Sequence, residues 1–377
     1  MSSHRGVLLQ ASYRVRAGTP ILHFYGRLED GRPFLVRESR QRPFFYVRQS
    51  DARQVRGCIA AFMPPCGGLG LPRICGDSGQ RAMDGAPVCR VEVAIPADAP
   101  LLRDRLHELG METFEADVRF AMRYLIDRDI RSGCRIFGAE KTEAEKLVVF
   151  DDPELQPVQV KVVPRVLSFD IETDPAADRL LAIAVYGLGA DEVLLVDPSR
   201  RSLPGRARGF TSEREVLTAF CKLIETLDPD VLTGWNVIDF DLTFLSRVAA
   251  RVRHPFLLGR DDGGLRIRAA QGYFGSGSAS IAGRLVLDGV DLLRGAFVRM
   301  DRYGLDAVAR EVLGEGKALA GEVGDRVEEI LSNYRHDLPA FCRYARTDAR
   351  LAIEILERLN LVNLAFVRSA LTGMPPD

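Results

Sequence analysis

The sequence has few of the residues that build a disulfide framework, a histidine–cysteine metal site or a membrane span. Its 377 residues include seven cysteines, five histidines and one tryptophan. The cysteines are odd in number and scattered, without a C-x-x-C pair, so reduced thiols are expected rather than disulfides or a zinc cluster. No apolar leader and no long apolar run occur, and the sequence therefore predicts neither export nor membrane insertion.

Neither positive nor negative charge is in excess. The 51 Lys and Arg residues nearly cancel the 52 Asp and Glu residues, which leaves a net charge of −1. Bulk charge therefore does not indicate a polyanionic partner. Hydrophobic residues make up 46% of the chain and charged residues 27%, the composition of an ordinary globular protein that is long enough for two domains.

The pattern of strands and helices predicts a boundary near residue 160. Residues 1–160 are expected to form a β-rich α+β domain, with a hairpin at Asp30-Gly31 and an exposed loop with little regular structure from Pro64 to Pro87. Residues 161–377 begin with three consecutive strands and continue with alternating helices and strands. That order favours an α/β domain with a ribonuclease-H-like sheet.

Four carboxylates in three short segments are the candidate site. Side chains alternate in a strand, so Asp170 and Glu172 of the segment F-D-I-E-T share one face while their apolar neighbours point into the core. Asp241 lies at helical spacing with apolar residues, and so does Asp348, one turn after Tyr344. Both are therefore predicted to point inward.

Unpaired carboxylates inside a protein are unfavourable. Each costs about several kcal/mol unless a cation compensates it. Hard divalent cations with oxygen ligands fit such a cluster. The alternative, four unrelated solvated acids, would suit any one of them but not four on otherwise apolar faces.

The three segments resemble the exonuclease motifs of family B DNA polymerases, which read D-I-E, N-x-x-x-F-D and Y-x-x-x-D in this order. The agreement continues outside them and is strongest with the bacterial DNA polymerase II branch of the family. The further segments that carry it are Phe114–Val118, Arg123–Leu125, Gly234–Val237, Leu258–Asp261, Gly283–Gly289 and Leu313–Lys317.

The resemblance implies a proofreading 3′→5′ exonuclease that hydrolyses single-stranded DNA ends and releases nucleoside monophosphates, with two divalent cations, Mg²⁺ or Mn²⁺. By resemblance, Asp170 bridges both ions, Glu172 and Asp348 complete the first site, and Asp241 reaches the second, partly through water. Tyr344 orients the attacking water. These five residues are the implied catalytic set, and the four acids are the implied metal ligands.

Two further residues are implied to contact DNA. Asn236 contacts the terminal nucleotide, and Phe240 stacks or wedges against bases, with a packing role as the alternative for this ring. Tyr344 also indicates the subclass, because related nucleases place a general-base histidine five residues before the last aspartate. Arg343 occupies that position here.

Other charged residues near these motifs receive no role in the site. Asp288 and Asp291 are interpreted as structural, and the default for Arg260, Arg266 and Arg268 is a solvated face rather than phosphate contact. The Gly/Ser-rich stretch from Gly272 to Gly283 is either the tip of a hairpin or a mobile loop.

The polymerase motifs of the family, S-L-Y-P-S and D-T-D, are not found in the sequence. The expectation is an amino-terminal and exonuclease portion without the palm, which shortens primers and does not extend them. The implied partners are single-stranded 3′ ends, primer–template DNA, the remaining polymerase domains and a sliding clamp, at the nucleoid in the cytoplasm. The alternatives are a free-standing exonuclease acting on RNA and a non-catalytic nucleic-acid-binding or scaffold module.

Overall fold

The computed structural model of the protein describes residues 3–63, 70–143, 146–269, 277–316 and 323–377. The chain divides into two compact units, Met1–Val162 and Val163–Asp377. Within the described residues, no helix has the length and apolar character that crossing a membrane requires.

The first unit contains two β-sheets in which most neighbouring strands are antiparallel. A seven-stranded sheet has the order β11-β8-β1-β2-β3-β10-β9, and a four-stranded sheet has the order β5-β6-β4-β7. The strands are β1 Ser3–Arg16, β2 Thr19–Leu28, β3 Pro33–Glu38, β4 Phe44–Arg48, β5 Arg73–Arg81, β6 Pro87–Glu92, β7 Thr113–Phe114, β8 Gly133–Phe137, β9 Lys141–Glu143, β10 Leu147–Asp151 and β11 Glu154–Pro157. The helices are α1 Ala52–Ala60, α2 Asp98–Glu108 and α3 Phe120–Ile126.

The hairpin predicted at Asp30-Gly31 is present, since β2 and β3 pair antiparallel on either side of it. The prediction of a loop with little regular structure from Pro64 to Pro87 is wrong for its second half, where β5 pairs antiparallel with β6. Ile74 of β5 packs against the core that α1 and α2 cover, which gives this Gly-rich strand an anchor that its composition does not reveal. Residues 64–69 lie outside the described residues.

The second unit is built on one mixed sheet with the order β15-β14-β13-β12-β16-β19. Its strands are β12 Val166–Thr173, β13 Leu180–Gly187, β14 Ala190–Val196, β15 Ala207–Phe210, β16 Val231–Gly234 and β19 Leu285–Asp288, and β17 Arg266–Arg268 and β18 Ser278–Ser280 form a separate hairpin. The helices are α4 Glu213–Leu227, α5 Thr243–Arg251, α6 Gly289–Gly295, α7 Leu305–Leu313, α8 Val323–His336, α9 Leu338–Arg358 and α10 Leu361–Thr372, with a π-helix at Val237–Leu242.

The strand directions follow the predicted order. Strands β12, β13 and β14 form an antiparallel meander, and β16 and β19 add parallel to β12 on its other side. This is the mixed α/β sheet expected for a ribonuclease-H-like domain.

Helices cover both faces of this sheet. Helices α4 and α5 pack on one face, against a core that includes Leu167, Phe169 and Ile171 of β12. Helix α9 packs on the other face, against β13 and β14. Because side chains alternate along β12, Asp170 and Glu172 lie on the face that α9 covers.

The default interpretation of Arg260 as part of a solvated face is wrong. Its side chain is 3% exposed and donates to Asp228 at 2.8 Å and to Asp230 at 2.8 Å, so it belongs to a buried ion-pair network and not to a solvated face. Arg284 donates to Asp228 as well, at 2.9 Å. Burial, aided by the charge of Arg260, lowers the pKa of Arg284 to about 10, so the guanidinium stays charged at neutral pH.

Arg266 and Arg268 are exposed on β17, which agrees with the interpretation that they belong to a solvated face. The hairpin that β17 and β18 form agrees with a hairpin in this stretch. Residues 270–276, between these two strands in the sequence, lie outside the described residues.

Candidate metal centre

Three of the predicted acids meet at one point. Carboxylate oxygens of Asp170, Glu172 and Asp348 all lie within 4.8 Å of one another. The first two come from β12 and the third comes from α9, which crosses the same face of the sheet. Alternation along the strand and helical spacing predicted these orientations separately, and the packing of α9 on the sheet brings them together.

Small residues make room for the acid pair. On the neighbouring strand β13, Ala184 lies opposite Asp170 and Ala182 lies opposite Glu172. Both alanines are buried. A larger side chain at either position would occupy the face on which the carboxylates meet, so this pair of alanines is a sequence signal that the motifs alone do not include.

Asp348 and Tyr344 lie one turn apart on α9. Their exposed fractions are 3% and 6% respectively, so both side chains are nearly enclosed. In a helix, residues four apart share a face, which places the phenol beside the carboxylate cluster. The neighbouring Arg346 pairs with Asp191 of β14 and helps to fix α9 on the sheet.

Asp241 is not one of the three acids that meet, but it is hydrogen-bonded to β12 between two of them. It is 2% exposed and lies in the π-helix that follows β16. Its Oδ1 accepts a hydrogen bond of 3.0 Å from the N–H of Ile171, between the two acids of β12. Pairing of β12 with β16 runs from Val166 to Ser168, and the carboxylate takes over as acceptor beyond that end.

The electrostatics of these acids call for a cation. Burial and the negative charge of Asp170 raise the pKa of Asp241 well above its usual value, and the N–H of Ile171 offsets this only in part. A divalent cation would compensate the buried negative charge and the repulsion from Asp170, and carboxylate oxygens are the donors that hard cations prefer. The donor set therefore fits Mg²⁺ or Mn²⁺.

The turn before Asp241 carries the two predicted DNA contacts. Asn236 is exposed and has the left-handed conformation, with φ 63°. Phe240 is 41% exposed, and its ring stacks on Phe244 with the centroids 6.4 Å apart. Gly234 precedes the turn because a Cβ there would lie 2.5 Å from the carbonyl oxygen of Phe169.

Asp288, interpreted from the sequence as structural, contacts the π-helix that contains Asp241. It ends β19, directly opposite Gly234 at the end of β16. Its carboxylate accepts hydrogen bonds from Val290, at the start of α6, and from Ile238, in the π-helix. Trp235, which precedes Asn236, is half-buried and donates its indole N–H to the carbonyl oxygen of Tyr303 at 2.8 Å.

Comparisons with known proteins agree with the resemblance seen in the motifs. The family described as DNA polymerase family B, exonuclease domain, matches residues 111–308. DNA polymerase II of Escherichia coli is 34% identical over 281 residues, which cover 72% of this chain and 34% of that protein. The DNA polymerase delta catalytic subunit of Bos taurus is 29% identical over 345 residues, which cover 77% of this chain and 30% of that protein.

The fold also has a solved counterpart. The structure of the family B DNA polymerase from Pyrobaculum calidifontis matches with a TM-score of 0.78 at 24% identity, covering 99% of this chain and 48% of that one. The chain spans about a third of the length of the two curated relatives above. The predicted family is confirmed, and the chain belongs to DNA polymerase family B, through the exonuclease domain of that family.

Proposed function

We propose that this chain is a metal-dependent 3′→5′ exonuclease that shortens single-stranded DNA ends and releases nucleoside monophosphates. The observation that carries the proposal is the convergence of the carboxylates of Asp170, Glu172 and Asp348 within 4.8 Å of one another, on a chain that belongs to a DNA polymerase family. Such a cluster is unfavourable without cations and suited to hold them.

The chain's own residues have distinct tasks in this proposal. Asp170, Glu172 and Asp348 would hold one cation, and Asp241 with Asp170 would hold a second. Bound divalent ions would activate water and stabilise the charge that develops on the attacking and leaving oxygens. Tyr344, enclosed beside Asp348, positions the water through its hydroxyl without binding an ion tightly.

An exposed aromatic surface supports a single-stranded substrate. The ring of Phe240 is available for stacking, while Phe244 beneath it is buried and holds it in place. The guanidinium of Arg247 lies 5.6 Å from the centroid of Phe244, on the exposed side of α5. A stacking ring with a cation close by in the chain is a common platform for single strands, since every base offers a flat face.

Digestion of 5′-labelled single strands tests the proposal. With Mg²⁺ the full chain should convert a DNA strand into a ladder that shortens from the 3′ end, and EDTA should stop it. A ladder that forms on RNA and not on DNA would favour the free-standing RNA exonuclease. Binding of DNA without cleavage, in Mg²⁺ and in Mn²⁺, would favour the non-catalytic module.

Phe240→Ala should weaken substrate binding more than it slows the chemical step. Loss of one base–aromatic stack costs about 1–3 kcal/mol. We therefore expect KM for single-stranded DNA to rise about tenfold with a smaller change in kcat. Phe297→Ala is the matched control, because Phe297 is also a surface phenylalanine of this unit, 86% exposed, and has no place in the site. Equal effects of both variants on KM would contradict the stacking role.

Tyr344→Phe should slow hydrolysis and leave metal binding intact. Misplacement of a reacting group by about 1 Å costs on the order of 100-fold in rate, and loss of a water-positioning hydroxyl should cost about ten- to a hundredfold in kcat. Calorimetric titration with Mn²⁺ should give the wild-type affinity. Tyr303→Phe, which removes another hydroxyl from the same unit, should keep both the wild-type kcat and the wild-type Mn²⁺ affinity. Loss of Mn²⁺ binding in Tyr344→Phe would make the phenol part of the ion site instead.

A further inference from the structure

Asp288 joins two segments at the edge of the sheet where the acids meet. Strands β16 and β19 end at the same level, with Gly234 opposite Asp288. Beyond these residues, the segment after β16 enters the turn at Asn236 and the π-helix, and the segment after β19 enters α6. The Asp288 side chain is 6% exposed and lies between the two departing segments.

Each carboxylate oxygen of Asp288 serves a different segment. Oδ1 accepts from the N–H of Val290 at 2.9 Å, which is an ordinary helix cap. Oδ2 accepts from the N–H of Ile238 at 3.4 Å, and the backbone of Asn236 also interacts favourably with the charged form. A cap of α6 needs only the first oxygen. The second oxygen therefore has another task.

That task concerns the π-helix. Its residues Val237–Leu242 form a wide turn of a type that is rare and frequently found at functional sites. Its start is tied to the carboxylate of Asp288, and its end is tied to β12 by Asp241, which accepts from Ile171. Asn236, just before the turn, must hold the left-handed conformation that few residues adopt.

Space around the π-helix is also restricted. A Cβ on Gly277, at the base of the β17–β18 hairpin, would lie 2.2 Å from Oδ1 of Asp239. Both ends of the π-helix are thus hydrogen-bonded, and the side chain of Asp239, in its middle, lies against Gly277. Movement of the first turn would be passed on to Asp241.

We propose that Asp288 is a positioning residue for the cation site that Asp241 completes, acting by clamping Asn236 and Ile238 at the start of the π-helix. The inference rests on the proposed function, in which Asp241 is a metal ligand. It assigns Asp288 no contact with metal or DNA. Loss of the clamp should weaken the site of Asp241 and leave the site of Asp170, Glu172 and Asp348 in place.

The test uses Asp288→Asn in the full chain. Asparagine caps a helix as well as aspartate does, but its single carbonyl oxygen cannot serve both segments, and its amide group would face the N–H of Ile238 as a second donor. Asp291→Asn is the matched control, since it removes the same charge from the first turn of α6 and leaves both hydrogen bonds of Asp288 in place. Asp288→Ser is a second variant that keeps a cap and lacks the second oxygen.

Two readouts separate positioning from capping. Hydrogen exchange at the Ile238 amide should accelerate in Asp288→Asn. The Mn²⁺ concentration for half-maximal hydrolysis should rise about tenfold, at the low end of the effects of residues that orient metal ligands, with activity restored at saturating Mn²⁺. Asp291→Asn should match wild type in both. An unchanged Mn²⁺ requirement in both Asp288→Asn and Asp288→Ser, with protected Ile238, would reduce Asp288 to a helix cap.

Failure of the proposed function would look different. Wild-type protein would then not cleave DNA at any Mn²⁺ concentration, whatever residue stood at position 288. Calorimetric titration with Mn²⁺ and exchange at Ile238 would still test the clamp, because neither needs activity. A lower Mn²⁺ affinity in Asp288→Asn than in Asp291→Asn would support the clamp, and equal affinities would overturn it.

Discussion

Replacing Asp170 and Glu172 together by alanine should lower the rate of DNA hydrolysis by about a thousandfold or more while the unit keeps its fold. Both proposed cations lose ligands in this variant, and bound metal ions contribute on the order of several kcal/mol to stabilising charge in the transition state, where each 1.4 kcal/mol is tenfold in rate. The measurement is the initial rate of nucleotide release from single-stranded DNA at saturating Mg²⁺. Asp178→Ala, in the exposed loop after the same strand, should retain the wild-type rate.

The same double variant should be at least as stable as wild type when metal is absent. The raised pKa of Asp241 means that the folded, metal-free protein binds protons more tightly than the unfolded chain does between pH 3.8 and the raised value. Metal-free wild type should therefore gain stability as pH falls through that window, and lose it as pH rises. The double variant lacks the charge of Asp170, so its stability should depend less steeply on pH. A double variant that is unfolded without metal would contradict this account.

Asp230→Ala should destabilise the second unit by about 3–5 kcal/mol, the cost of breaking a buried ion pair and leaving its partner uncompensated. Arg260 and Arg284 are both buried, and Asp228 and Asp230 balance them. Asp230 also accepts from the backbone N–H of Arg165 at 3.0 Å, just before β12. Its loss leaves two buried guanidinium groups against one carboxylate.

Urea denaturation followed by tryptophan fluorescence measures this effect directly. The sole tryptophan, Trp235, lies in the second unit and follows β16, so its signal reports the unfolding of this unit. Glu225→Ala is the control. It breaks an ion pair with Lys222 in which both side chains are 70% exposed, and such pairs contribute about 0–1 kcal/mol. Equal shifts in the two variants would mean that the buried network carries no special weight.

Much of the site could be predicted from the sequence because its residues obey local rules. Alternation along a strand places Asp170 and Glu172 on one face, and helical spacing places Asp348 and Tyr344 on another. These periodicities survive folding because each element buries its apolar side in a shared core. The meeting of the two faces follows once α9 packs on the sheet.

Other features depend on contacts that local patterns do not contain. Arg260 resembles any surface arginine until Asp228 and Asp230 are brought to it from about thirty residues away. The helical spacing after Asp241 correctly indicates that this acid points inward, yet it does not distinguish a π-helix from an α-helix. Asp288 looks like a simple helix cap, since its bond to Ile238 exists only because β16 and β19 end side by side.

The central claim is that the four carboxylates form a divalent-metal site for hydrolysis from the 3′ end. Its most direct test is release of label from 3′-labelled single-stranded DNA, compared between wild type and the Asp170→Ala/Glu172→Ala variant, with Mg²⁺ and with EDTA. We expect labelled nucleoside monophosphate as the first product from wild type with Mg²⁺, and none in the other three reactions. Equal release by the double variant, or release in EDTA, would show that these carboxylates are not the hydrolytic centre.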